Sequence, residues 1–166
     1  MEFDFVVVPG ERIGSIHLGM TRAEVHQILG QPDFHKDSTE RDLITPDYHD
    51  SFRDIGLKVS YRKQSQIVCS LELVDETQPA YLNNINVMKA DSSTAFQIGK
   101  QLDQTAYMID EGVECDSIGL FLYMNEDPKL ADEEGYDYDA EYPKVVLTVS
   151  IFQAGSTLSQ GLSPLD

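Results

Sequence analysis

Basic residues are scarce in this chain. Lysine and arginine together number 12, against 29 aspartates and glutamates, and the net charge is −17. A field of that sign opposes binding to nucleic acid and to anionic lipid, so neither a phosphate backbone nor a membrane surface is an expected partner. It favours a cationic one. Cysteine is scarcer: Cys69 and Cys115 in 166 residues make no disulfide framework. Each falls in or beside an expected strand, where a free thiol packs as a small apolar side chain. Long apolar runs are missing too. No window approaches the ~18 residues of a membrane-spanning helix. The opening MEFDFVVVPG lacks the basic stretch and apolar core of a secretory signal. The expectation is a cytoplasmic protein forming one globular domain, or two small units sharing a core.

Motifs that carry chemistry are equally sparse. His17, His26, His35 and His49 show no zinc-type spacing, and the two cysteines form no C-x-x-C. No G-x-S-x-G, H-E-x-x-H or phosphate-binding glycine loop occurs. Cys69 is expected to point inward on a strand, and His26 to be a partly exposed helical histidine. No catalytic, metal or cofactor-binding residue is assigned, and no enzymatic activity is expected.

What is present is clearest from Arg12 to Pro32, RIGSIHLGMTRAEVHQILGQP. Thr21 is a good helix N-cap, and Glu24 stands three residues on, the spacing of a capping box. A helix from about Arg22 to Leu29 places Val25, Ile28 and Leu29 on one face. Gly30 ends it and Pro32 prevents its resumption. Two turns do not persist alone, so the helix must lie on something, and the rest of the chain supplies sheet.

Phe3 to Val8 reads as a first strand, and Phe34 to Lys36 as the start of another. Asp37 to Asp54 is charge-rich and reads mostly as loop, with at most a short strand near Leu43. Ile55, Leu57, Val59 and Tyr61 alternate with polar neighbours, the pattern of a half-buried strand. After a turn at Lys63 to Ser65, Gln66 to Val74 completes a hairpin with Ile67, Cys69, Leu71 and Leu73 on one face.

The second half follows the same plan. Ile85 to Met88 is short and apolar, and Asp91, Ser92 and Ser93 offer caps for a helix from about Thr94 to Leu102. Ala95, Phe96, Ile98 and Leu102 are its expected inner residues. Tyr107 to Ile109 is a short strand. Ser117 to Tyr123 then repeats the I-G-L pattern of Asp54 to Ser60, and Lys144 to Phe152 supplies the partner strand. The expected architecture is α+β: a tandem repeat of helix plus antiparallel hairpin modules, packed as one unit. The repeats span 1–78 and 79–155, and 156–166 is a Gly/Ser-rich tail.

The halves differ at Asn125 to Lys144, where the second hairpin opens into a loop with eight acids against two bases, a net −6. Tyr136, Tyr138 and Tyr142 are interleaved with Asp132, Glu133, Glu134, Asp137 and Asp139. A solvated loop, weak divalent-cation binding and partner recognition all fit this composition. The loop lacks the register of a calcium-binding EF-hand, and tyrosines supply contact area at low entropy cost. If Ile118, Leu120, Leu122 and Met124 face the helices, then Phe121, Tyr123 and Phe152 share the opposite face. An aromatic patch there is an interface unless something covers it. The candidate partner-binding residues are therefore Phe121, Tyr123, Phe152, Asp132, Glu133, Glu134, Tyr136, Asp137 and Tyr138. The partner is a cationic protein or a second copy of the chain.

The pattern I-x-x-I-x-L-G-M-T-x-x-E-V-x-x-x-L-G-x-P is carried by Ile13, Ile16, Leu18, Gly19, Met20, Thr21, Glu24, Val25, Leu29, Gly30 and Pro32. It resembles the signature of the small α/β modules of the outer-membrane assembly lipoprotein BamE/SmpA. Two such modules in tandem look like the β-lactamase inhibitor protein, in which helix pairs back a curved sheet. The opening P-G-x-x-I-G-x-I-x-L-G-M-T is also similar to that of bacterial cytoplasmic proteins considered as toxin immunity proteins. The resemblance implies a helix-backed sheet and a non-enzymatic, immunity-type inhibitor of a basic partner.

Overall fold

The computed structural model describes residues 3–37, 48–126 and 143–155. Among them the first half supplies β1 (Val7–Val8), β2 (Arg12–Ile13), β3 (Ile16–His17), α1 (Arg22–Leu29), β4 (Phe34–Asp37), β5 (Tyr48–Phe52), β6 (Leu57–Tyr61) and β7 (Val68–Leu73). The second supplies β8 (Tyr81–Leu82), β9 (Ile85–Asn86), α2 (Ser92–Leu102), β10 (Tyr107–Ile109), β11 (Gly112–Cys115), β12 (Leu120–Glu126) and β13 (Lys144–Phe152). The fold is α+β, with antiparallel pairing between all the named strands. No helix among the described residues is long and apolar enough to cross a membrane.

One eight-stranded sheet organises the molecule, in the order β10-β11-β12-β13-β7-β6-β5-β4. Each half gives a four-stranded meander, and the meanders join where β7 pairs with β13. The side-chain period of two sorts residues between the faces. The row Phe52, Leu57, Leu73, Val149, Leu122, Val113 lies on the helix side, each residue directly opposite the next. All six are buried. The next row on that side runs Asp50, Val59, Leu71, Ile151, Leu120, Cys115 and is wholly buried, although it begins with a carboxylate. Val25 of α1 and Ala95 and Ile98 of α2 join the same core cluster. The opposite face carries the row Phe34, Ser51, Lys58, Glu72, Ser150, Phe121, Glu114, Tyr107 across all eight strands.

Helix α1 forms where its caps predict. Thr21 accepts from the Glu24 amide, and the Glu24 carboxylate accepts from the Thr21 amide at 2.8 Å, the reciprocal pair of a capping box. Asp91 caps α2 by accepting from the Thr94 amide at 2.8 Å. The I-G-L segments begin with short 3₁₀ turns, Arg53–Ile55 and Asp116–Ile118. Gly56 and Gly119 then take left-handed conformations, φ 60° and 67°, before β6 and β12 start.

Six expectations need correction. The strand expected over Phe3 to Val8 shrinks to Val7–Val8, too short an edge for the alternation to matter. Tyr48–Phe52 is a strand and not loop, because its neighbours β4 and β6 pair its backbone whatever its polarity. Gly112–Cys115 is likewise an unforeseen strand, β11. Ile28 is 42% exposed and so lies outside the core that Val25 enters. Ile55 and Ile118 belong to the 3₁₀ turns ahead of their strands. Cys69, expected to point inward, is half-buried, because a register irregularity after Ser60 of β6 brings Val68 of β7 opposite Tyr61, and Val68 is buried instead.

Candidate functional site

Position 22 opens α1, and His26 follows one turn later on the same side of the helix. Both reach Asp50, which the pleat of β5 turns inward beside Phe52. The Asp50 side chain is fully buried and is met by four donors. Arg22 approaches with two nitrogens, Nη2 at 2.6 Å from Oδ1 and Nε at 3.0 Å from Oδ2. The His26 Nε2 lies 2.7 Å from Oδ2, and the Tyr61 hydroxyl donates to the same oxygen at 2.9 Å. The guanidinium also donates to Asp37 Oδ1 at 2.9 Å and to Gln66 Oε1 at 3.2 Å, with its centre 5.3 Å from the Tyr61 ring centroid.

Burial pushes the Asp50 carboxyl toward its neutral form, but hydrogen bonds from Arg22, His26 and Tyr61, together with the Arg22 charge, outweigh it and hold the pKa below the ordinary carboxylate value. Hydrogen bonding to Asp50 raises the Arg22 pKa further. Burial and the nearby carboxylate charge raise that of Tyr61. A buried carboxylate so fully engaged is committed to its partners. Its effect is mechanical: it fastens α1 to β5 and β6, with β4 held through Asp37.

A groove lies at the other end of α1. Ile28 and Leu29 form one wall, and Phe52 with Ile55 forms another. Phe3 contributes from the N-terminal segment. The groove has a volume of about 500 Å³, within the range of ligand-sized clefts. Its charged lining residues are Asp4, Asp33 and Asp54, all exposed, and no lysine or arginine lines it. Asp33 Oδ2 accepts from the Arg53 amide at 2.7 Å and Asp4 Oδ1 from the Val6 amide at 3.1 Å, each leaving a second oxygen for other donors. Among the described residues, the corresponding place on α2 is packed. There Gly99 faces β11 so closely that a Cβ on it would meet Val113 Cγ1 at 2.8 Å, and Ile98, seven residues past its cap as Ile28 is, is 7% exposed.

Of the partner-binding residues expected from sequence, Phe121 and Tyr123 stand on β12 and Phe152 on β13, on the face away from the helices. Phe121 and Tyr123 meet edge to face with ring centroids 6.3 Å apart. Phe121 lies opposite Ser150 and Phe152 opposite Ser70, which makes the two phenylalanines diagonal neighbours. Phe121 is 5% exposed, Phe152 is fully buried and Tyr123 is half-buried, so most of the expected patch is covered, one of the two outcomes the sequence leaves open. Asp132, Glu133, Glu134, Tyr136, Asp137 and Tyr138 lie outside the described residues. Both cysteines are free thiols. Burial raises the pKa of Cys69 and pushes that of Cys115 up to about 12, so neither is a thiolate at neutral pH.

The Asp50 cluster and the groove both escaped the sequence reading. The one available signal was the spacing of Arg22 and His26 on α1, and it lacked a partner while Asp50 was read as loop. No family model matches the chain, and neither a curated protein nor a solved structure matches it.

Proposed function

We propose that this chain is a non-enzymatic protein-binding protein that takes a cationic partner, in the manner of an immunity protein neutralising a basic toxin. The observation that carries the reading is the charge, 29 acids against 12 bases. Eight of those acids sit beside three tyrosines in 125–144. Complementary charge speeds encounter and rejects anionic competitors, while aromatic and apolar contacts set the lifetime of a complex.

A tandem plan of two BamE-like or β-lactamase-inhibitor-like modules is the architectural part of the proposal. Three correspondences support it. Leu57 pairs with Leu73 as Leu120 pairs with Ile151, and exchanging these positions maps the β7–β13 pairs Leu73–Val149 and Leu71–Ile151 onto each other. The register irregularities fall at Ser60/Tyr61 and Tyr123/Met124, three residues after those leucines in each case. The segments ahead of the helices bond alike: the Gly19 amide donates to Val68 and the Lys89 amide to Val146. Superposing the meanders in an experimental structure should align α1 with α2, and helices on opposite faces would end the idea.

The functional test is capture from the source organism at low salt, followed by purification of the captured protein and stopped-flow kinetics. The expected partner is basic, and its association slows as salt shortens the screening length from about 10 Å at 0.1 M to about 3 Å at 1 M while dissociation changes little. Recovering only a second copy of this chain would replace the inhibitor reading with self-association.

A further inference from the structure

Ile28 and Ile98 occupy the same place in their helices, yet one is exposed and the other is core. The difference has a local cause. Helix α1 stops at Leu29 and the chain leaves through Gly30 and Pro32, whereas α2 runs on to Leu102 and presses Gly99 onto β11. Ile28 therefore lines a cleft in the first half, while its counterpart Ile98 is packed into the core. The cleft's apolar lining comes from Phe3, Ile28, Leu29, Phe52 and Ile55, its neutral polar lining from Ser15 and Gln31, and its charged lining residues are all carboxylates. The last carbonyls of α1 point toward this end and add partial negative charge. The Asp50 clamp ties α1, which carries Ile28 and Leu29, to β5, which carries Phe52.

We infer that this cleft docks an extended basic segment of the partner, seating one large apolar side chain against Ile28 and Phe52 while flanking lysines or arginines meet Asp4, Asp33 and Asp54. The inference rests on the cationic-partner reading and locates it. The occupant follows from complementarity: an apolar lining needs an apolar anchor, and three exposed carboxylates without a lining base select positive flanks. A second copy of this chain, at −17, is opposed by charge.

The test uses the full chain with two labelled hexapeptides, Lys-Lys-Leu-Phe-Lys-Lys and Lys-Lys-Gly-Ser-Lys-Lys, read by fluorescence anisotropy and amide chemical-shift mapping. The apolar-centred peptide should bind about tenfold more tightly, as expected from losing about 1.4 kcal/mol of anchor contact. Its shifts should cluster on residues 28–33 and 52–55. Ile28→Gln, at an exposed position, should weaken it about fivefold or more with the circular dichroism unchanged. Asp54→Asn should weaken both peptides by a smaller factor and lower the salt dependence. Equal affinity for the two peptides, absence of binding by the apolar-centred one, or unchanged affinity in a folded Ile28→Gln protein each overturns the cleft as the docking site. The cationic-partner reading is judged separately by the capture experiment, since shifts confined to another surface would sink the cleft and leave that reading standing.

Discussion

Asp50 is a carboxylate in the middle of a buried row, and four donors make that tolerable. Removing one member of a buried, hydrogen-bonded charge pair leaves the other uncompensated, which costs about 3–5 kcal/mol. Asp50→Asn should fall near the lower end, since Arg22 keeps Asp37 as a partner. Chemical denaturation at neutral pH measures it. The pH dependence has a definite sign. The folded-state pKa of Asp50 is lowered, so its contribution is complete above the unfolded value of about 4 and is lost as pH falls through the folded value. The stability gap between wild type and Asp50→Asn should therefore narrow on acidification below about pH 4, and a gap that widened there would contradict the assignment. Gly119 makes a different residue-scale case. Its φ is 67°, and a Cβ there would stand 2.1 Å from the Phe152 carbonyl oxygen. Gly119→Ala should cost roughly 1–3 kcal/mol in backbone strain, and more because β13 must shift. Gly19→Ala is the comparison, because at φ 86° it meets nothing within 4 Å and bears the strain alone.

At the scale of elements, α1 depends on its ends. Eight residues with one fully buried side chain make a weak helix, so the capping box matters more here than in a longer one. Thr21→Ala should lower stability by about 1 kcal/mol in denaturant titration. The same substitution should shorten protection of the α1 amides in hydrogen exchange before it affects β12 or β13. Helix α1 was legible because its signals are local: cap, acid at the third position, glycine stop. Strand β5 was not. Tyr48-His49-Asp50-Ser51-Phe52 is polar at its centre, and a strand whose inward residue is an aspartate gives no alternation of apolar side chains to read. Its conformation comes from β4 and β6 on either side, and its buried acid from donors supplied by two other elements.

At the scale of the molecule, the charge is set against the fold. A chain at −17 repels itself when compact, and salt screens that repulsion. The melting temperature should rise by a few degrees between about 0.01 M and 0.3 M sodium chloride. A flat response would mean that the excess carboxylates lie too far apart for their repulsion to count. Opposing the repulsion is a single core cluster to which both halves contribute, from Val7 to Ile151. The join between β7 and β13 buries Leu71, Leu73, Val149 and Ile151 in adjacent pairs, which makes the halves one sheet.

The sequence by itself determined what depends on near neighbours. The α+β class, both helices with their caps, and the inward alternation of Leu57, Val59, Leu71 and Leu73 are consequences of residue type at fixed short spacing. Phe121, Tyr123 and Phe152 were placed on the correct face for the same reason, since a strand's period of two leaves no choice. Tertiary structure alone decided how exposed that face would be, that Ile28 would line a cleft while Ile98 entered the core, and that Asp50 would find Arg22, His26 and Tyr61. Those outcomes depend on which elements meet across 24 to 28 positions of chain and on where one helix stops relative to a strand. Pairing at a distance carries no periodic trace in the sequence, so the clamp and the cleft are visible only once the strands and helices have come together.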